Sequence, residues 1–333
     1  MTSIKLMLPA ICGAVLLSGC ATTIENPNTF SKVSLKPTTV MPTKAELGSK
    51  NSRVVIFKAD DSAINLAKSA SAGHTLSSEL TKHVSVTGAE IVDRNIAKQL
   101  QKEIALAELK GNNDYKGPNV ADYAISGKLS TATVGKSFSE RRTWKDKKGK
   151  WHTIPAKCTY RAKVSATMSI YNLPSLQFSK AINVEGSVSA SEETRNSRCP
   201  YPRTAQESLV RDAASSAVKK ARIGFQNYFA PKAYVLERRV KEDKNIFKIS
   251  KGKAYGFTPD SDISFYQAEI ANNPLTGEES IEEAVIAKGT ISDRVGEKHA
   301  WIVVDDETAN LIKLGDYVKV KYEKNWYEID LSL

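Results

Sequence analysis

The chain has 333 residues, a formal net charge of +11, 41% hydrophobic and 26% charged residues, 18 glycines, 12 prolines and four cysteines. Those proportions exclude a collagen-like, low-complexity or wholly disordered protein and leave apolar residues enough for two folded domains. The four histidines, His74, His83, His152 and His299, lie at no metal-ligand spacing from one another or from a cysteine pair, so no zinc site is readable.

The first segment, Met1 to Cys20, carries Lys5, an apolar run from Leu6 to Leu17, and then Leu17-Ser18-Gly19-Cys20. A basic start, a short apolar stretch and small residues before a cut make residues 1–19 a signal peptide, too short to span a bilayer. The Leu-Ser-Gly-Cys ending resembles the bacterial lipobox, which implies acylation of Cys20 and a permanent anchor, since each buried methylene contributes about 0.8 kcal/mol. Ala21 stands where an aspartate would imply inner-membrane retention, so the implied address is the outer membrane, facing the periplasm. With Lys5 removed the charge becomes +10. In an envelope such a surface attracts lipid or lipopolysaccharide phosphates and cell-wall carboxylates, not nucleic acid.

Residues 20–50 are rich in Thr, Pro, Ser and Lys, with Pro27, Pro37 and Pro42 and few large apolar side chains. This composition predicts a flexible lipidated tether, able to reach about 90 Å when fully extended.

Beyond it, Arg53-Val54-Val55-Ile56-Phe57 reads as a strand. Leu76, Leu80 and Val84 recur every fourth residue and predict a helix that Val86-Thr87-Gly88 ends. Glu90-Ile91-Val92 is a short strand, Asp93 a helix cap, and Ile96, Leu100 and Ile104 mark a second helix. Together with "TGAEIVDR", "LQKE" and "ADYAISG" downstream, these elements resemble the CsgG-like (TolB N-terminal-like) domain over about residues 51–230, departing from it at Lys58-Ala59-Asp60. The resemblance implies an α/β sandwich over residues 51–231 and a place among lipoproteins of curli secretion, penicillin-binding-protein activation or flagellar outer rings.

Within that domain Tyr160, Ala162, Val164, Ala166, Met168 and Ile170 alternate with mostly polar neighbours, predicting a strand with one buried face. Before it, Arg141, Arg142, Lys145, Lys147, Lys148 and Lys150 surround Trp144 and Trp151, with Lys148-Gly149 at the tip of an expected hairpin. Cations beside indoles suit an anionic surface or partner; a solvated hairpin whose tryptophans fold onto their own strands is the bland alternative. Further on, Leu209, Ala213, Ala217, Ala221, Phe225 and Phe229 predict a long helix, opened by a capping box at Thr204 and Glu207 and closed by Pro231.

From residue 232 to 333 the pattern turns to short strands, Phe247–Ile249, Ile263–Tyr266, Val285–Ile286, Trp301–Val304 and Tyr317–Val320, separated by Gly, Pro and Asn turns. Five strands predict a small SH3-like barrel, and "GKAYGFTPDSDISFY", "AKGTISDR" and "IKLGDYVKV" resemble the C-terminal domain of flagellar H-ring proteins of the FlgT type. The whole is therefore expected to be α+β.

No nucleophile elbow, Walker loop or dinucleotide fingerprint occurs, and His83, four residues after Glu79, fits the edge of a core better than a catalytic base. No enzyme activity, cofactor or metal is expected. The expected partners are the outer membrane through the lipid, an envelope complex of flagellar, secretion or cell-wall type, and further copies in a homo-oligomeric ring. A curli-type pore is disfavoured because residues 128–152 are crowded with charge. With Cys12 lost in the leader and Cys20 acylated, Cys158 and Cys199 remain to form one disulfide. The anchor is checked by mass spectrometry of the mature protein, which is expected to begin at an acylated Cys20; an unmodified residue 20 contradicts it.

Overall fold

The computed structural model describes residues 22–93, 95, 100–102, 104, 106 and 121–324, so the leader and Cys20 lie outside the described residues. In chain order the named elements are β1 (Ser31–Val33), α1 (Lys44–Leu47), β2 (Arg53–Ile56), α2 (Asn65–Ser69), α3 (Ala72–Ser85), β3 (Glu90–Val92), β4 (Tyr123–Ser139), β5 (Arg142–Lys145), β6 (Trp151–Ile154), β7 (Lys157–Asn172), β8 (Gln177–Glu193), α4 (Arg203–Phe229), β9 (Ala233–Lys241), β10 (Lys244–Ile249), β11 (Asp262–Asn272), β12 (Glu279–Val295), β13 (Ala300–Val304), α5 (Asp306–Ala309) and β14 (Tyr317–Val320).

The first sheet runs β3-β2-β4-β7-β8, parallel at β3-β2-β4 and antiparallel from β4 onward. Because β2 is central and parallel, both of its faces are buried. Val54 and Ile56 pack toward α3 and α4 with Leu76, Leu80 and Val84, while Val55 and Phe57 meet Leu100 and Ile104 on the opposite side. The alternation in β7 is realised as expected, with Tyr160, Ala162, Val164, Ala166, Met168 and Ile170 all buried. Over that face lies α4, whose Ala213, Ala214 and Ala217 let the helix approach the sheet closely.

Two helix starts differ from the sequence pattern or extend it. The capping box at Thr204 does not form: α4 begins at Arg203 with Pro202 as N-cap, two residues earlier than the box requires, and Glu207 pairs with Arg203 Nε at 3.1 Å. Thr204 falls inside the first turn, where its hydroxyl cannot act as the cap, and the Arg–Glu pair takes the carboxylate the box would use. Asp93 accepts from the Asn95 amide at 2.7 Å, as a capping residue does; the turn that follows lies partly outside the described residues. His83 is half-buried at the rim of the core, and burial lowers its pKa against the opposing pull of Glu79.

The second unit is a barrel of six strands, β9-β10-β13-β12-β11-β14, closed where Tyr317 and Val318 of β14 pair with Tyr234 and Ala233 of β9. Its interior holds Val235, Phe247, Ile249, Phe257, Phe265, Ile302 and Val318. One strand more than the sequence pattern indicated closes it. That strand, β9, was hidden by Glu237, Arg238 and Arg239, which look like a surface run. In the fold Arg239 lies over the Trp301 ring at 5.3 Å and Arg238 over Phe247 at 5.7 Å, so the stems of these residues cover aromatic surface.

The expected tether is the larger correction. Ile24 is buried beside Ile246 and Trp301, its amide donates to Asp293 Oδ1 at 2.9 Å, and Arg294 Nε donates to its carbonyl at 2.7 Å. β1 then adds to the edge of β9, Thr38 N donates to the Leu314 carbonyl, and Thr43 and Glu46 cap α1 reciprocally. Composition misled here because an added edge strand is held by backbone hydrogen bonds, which need few apolar side chains.

The sheet unit and the barrel meet at a backbone contact. Gly88, just after α3, has φ +81, and a Cβ there would stand 2.7 Å from the Tyr255 carbonyl carbon. Gly256 has φ +79, and a Cβ there would stand 2.8 Å from the Thr87 backbone. Beside them Asn51 Nδ2 donates to the Ala254 carbonyl at 2.8 Å, and Asn227 and Tyr322 exchange two bonds of 2.9 Å each. A side chain at either glycine meets both a clash and a left-handed backbone, so Gly88→Val or Gly256→Val is expected to destabilise the protein by about 1–3 kcal/mol. Equilibrium urea denaturation checks this, and an unchanged midpoint contradicts the tight seam.

Candidate functional site: a basic ribbon at the end of the long strands

Strands β4 and β7 pair out to Ser139 and Lys157, after which the chain continues as the separate two-stranded ribbon of β5 and β6. The register sets Trp144 opposite His152 and Lys145 opposite Trp151. Neighbouring pairs point to opposite faces, so each face of the ribbon carries one indole. Trp144 stacks on the His152 ring with centroids 5.3 Å apart, and Lys145 Nζ lies 5.9 Å from the Trp151 ring. Both indoles rest on neighbours in the ribbon yet stay 45% and 66% exposed, and Ile154 is exposed beside them.

The turn is organised by Asp146, which accepts from the amides of Lys148 and Lys150 at 2.9 Å and from His152 Nε2 at 2.9 Å. The His152 bond first, then the Lys150 amide, lowers the Asp146 pKa. This carboxylate therefore serves the turn, and Arg141, Arg142, Lys145, Lys147, Lys148 and Lys150 are left facing solvent around the two tryptophans. The site residues read from the sequence are brought together on one projecting element.

At the base of the ribbon Cys158 and Cys199 form a disulfide with Cα atoms 5.6 Å apart. It ties the start of β7 to the segment before α4, which is also held by Tyr160 stacked on Tyr201 at 3.8 Å, Tyr160 OH donating to the Pro200 carbonyl, and Lys136 Nζ donating to the Arg198 carbonyl at 2.7 Å.

The barrel carries a second exposed hairpin of opposite sign, which sequence reasoning passed over. The outer halves of β11 and β12 hold Glu269, Glu278, Glu279, Glu282 and Glu283 with no Lys or Arg between Gln267 and Ala287. Ile270 pairs with Ile281, both are exposed, and Leu275 at the tip is 93% exposed. The signal was legible as a run of glutamates interrupted by isoleucine and leucine. No group of histidine, cysteine and carboxylate side chains among the described residues could hold a metal ion. No described helix is long and apolar enough to cross a membrane.

No protein-family model matches the chain, and no curated protein does. Among solved structures, a minor lipoprotein from Acinetobacter baumannii is 9% identical over 57% of this chain and 97% of its own, with a TM-score of 0.25. A PelC dodecamer from Paraburkholderia phytofirmans is 13% identical over 54% and 93%, with a TM-score of 0.21. A lipoprotein from Neisseria meningitidis is 13% identical over 51% and 96%, with a TM-score of 0.18. These likenesses are too slight to assign a family.

The disulfide closes a sequence separation of 41 residues, worth about 4 kcal/mol on the chain-entropy relation. A Cys158→Ala, Cys199→Ala variant is expected to lose roughly that much stability in denaturant titration. Thiol titration of the denatured, unreduced protein is expected to find neither cysteine reactive.

Proposed function

We propose that the chain is a non-enzymatic, lipid-anchored envelope protein that scaffolds or stabilises an assembly, and that it grips an acidic partner with the ribbon of β5 and β6. The observation that carries this reading is the placing of six cations and two exposed indoles on one projecting element whose central carboxylate, Asp146, is occupied by its own turn. Arg and Trp are the side chains that anchor protein interfaces, and the surrounding lysines supply steering at long range. A flagellar outer ring or a secretion complex is the assembly that the CsgG-like and FlgT-like resemblances imply. The lipobox implies attachment at Cys20 to the outer membrane.

A homo-oligomeric ring is favoured by one further observation: the acidic hairpin of β11 and β12 presents exposed Ile270, Leu275 and Ile281 among glutamates. Ribbon and hairpin lie on different units, so their pairing between copies would be head-to-tail, the arrangement that closes into rings. A curli-type pore would need long stretches of alternating lipid-facing apolar residues, whereas β5 and β6 are four residues each and the turn between them carries Lys147, Lys148 and Lys150. Activation of a peptidoglycan synthase rests on the fold resemblance alone.

Reversing Lys147, Lys148 and Lys150 to Glu is expected to abolish crosslinking to the partner in intact envelopes. If the partner is another copy, reversing Glu278, Glu279 and Glu282 to Lys in the same chain restores it. Crosslinking unchanged by the first variant, in low and high salt alike, overturns the reading.

A further inference from the structure

Away from the ribbon, the seam between the sheet unit and the barrel encloses a cleft of about 950 Å³. This is the upper end of the range for small-molecule sites. One wall is aromatic: Tyr123, Tyr228 and Phe229 meet edge to face, with ring centroids 4.9 to 6.0 Å apart. The other wall, from the barrel, presents Lys232, Lys251 and Lys319.

These lysines are unequal. Lys232 has a counter-charge, Glu283 at 2.8 Å, and lies 4.1 Å from the Tyr317 ring. Lys251 is only 4% exposed; its ammonium donates to Ser49 Oγ at 3.1 Å and lies 4.9 Å from the Tyr255 ring. Among the described residues no carboxylate stands within ion-pair distance of Lys251 or of Lys319. Burial lowers the pKa of both; at Lys319 the Lys232 charge adds to the effect and Glu283 opposes it, whereas no carboxylate acts on Lys251. The cleft's carboxylates lie toward other partners: Asp122 holds Arg53 at 2.9 Å, Glu90 adds its charge at the same arginine, and Glu46 caps α1 at Thr43.

A buried ammonium without a counter-charge opposes folding, because the cost of leaving water is only partly met by a hydroxyl and a ring face. Lys251 borders a cleft wide enough to admit the missing anion, and the aromatic wall suits the body of a ring-bearing or hydroxylated molecule. The barrel wall is lysine-rich beyond Lys251 itself, which favours a doubly charged anion over a single carboxylate, and lysine binds phosphate as a point charge. We propose that this cleft is a binding site for a phosphate-bearing small molecule, with Lys251 donating to the phosphate oxygens, Lys319 adding positive charge on the same wall, and Tyr123 and Phe229 bordering the rest of the ligand.

The test is isothermal titration of the full-length protein in detergent with inorganic phosphate, glucose 1-phosphate and glycerol 3-phosphate, with glucose as the uncharged control. Saturable binding of at least one phosphate compound, and none of glucose, is expected. Tighter glucose 1-phosphate identifies a sugar phosphate as the natural class, and tighter glycerol 3-phosphate a lipid headgroup. Lys251→Met and Lys319→Gln are each expected to weaken binding about tenfold or more, the scale of one charge-assisted hydrogen bond. Lys147→Gln on the ribbon is expected to leave it unchanged, which separates this site from the partner-binding reading. Lys251→Met also removes an uncompensated buried charge and is expected to raise the melting temperature without ligand. Should that variant fail to fold, Lys319→Gln decides alone. No saturable binding of any phosphate compound, or variants that bind as well as the parent chain, overturns the proposal.

Discussion

The arrangement of this molecule depends on two stretches of backbone that touch. Gly88 and Gly256 lie against each other with no room for a Cβ on either side, and both hold the left-handed conformation that glycine adopts without strain. Such a contact admits no sliding by a side chain's width. It therefore sets where the barrel stands relative to the sheet, and with it the width of the cleft beside it. The hydrogen bonds of Asn51 with Ala254 and of Asn227 with Tyr322 brace the same seam on different elements. Three polar links are modest individually, but around a backbone contact they restrict rotation of one unit on the other.

Charge is distributed over this frame by element. The basic ribbon extends from the sheet unit, the acidic hairpin from the barrel, and the seam cleft gathers lysines between them. A net charge of +11 spread evenly would give weak, nonspecific attraction to anions. Concentrated on a narrow ribbon beside two indoles, part of it becomes directional. The disulfide and the Tyr160–Tyr201 stack hold the base of that ribbon, so its tip moves with the sheet.

What could be read from the sequence follows from how each element is stabilised. The strand from Lys157 to Asn172 and the helix at Leu76, Leu80 and Val84 are held by apolar faces, and periodicity reports apolar faces directly. The ribbon's turn was legible because Asp146 and Gly149 act locally. Strand β9 was not, since its charged residues lie over aromatic rings distant in sequence. Nor was the course of residues 22–43, which is fixed by backbone pairing with partners about 200 to 270 positions away. The cleft belongs to the same class: Ser49 and Lys251 meet only after both units have folded, and no local pattern marks either.

The ordering of the N-terminal segment bears on how the chain would sit if it were acylated at Cys20. A free tether of thirty residues would let the folded part range over a wide shell around its anchor. Here Ile24 is already part of the barrel's hydrogen-bonding and apolar surface. Only three residues separate it from Cys20, and the four steps span about 14 Å at full extension. A chain held by acyl groups at Cys20 would be moored with its barrel close against the lipid headgroups, restricted to small excursions and a narrow range of tilts. An assembly built on such a chain would form as a layer at the membrane surface, where confinement to two dimensions raises the effective concentration of each copy for its neighbours.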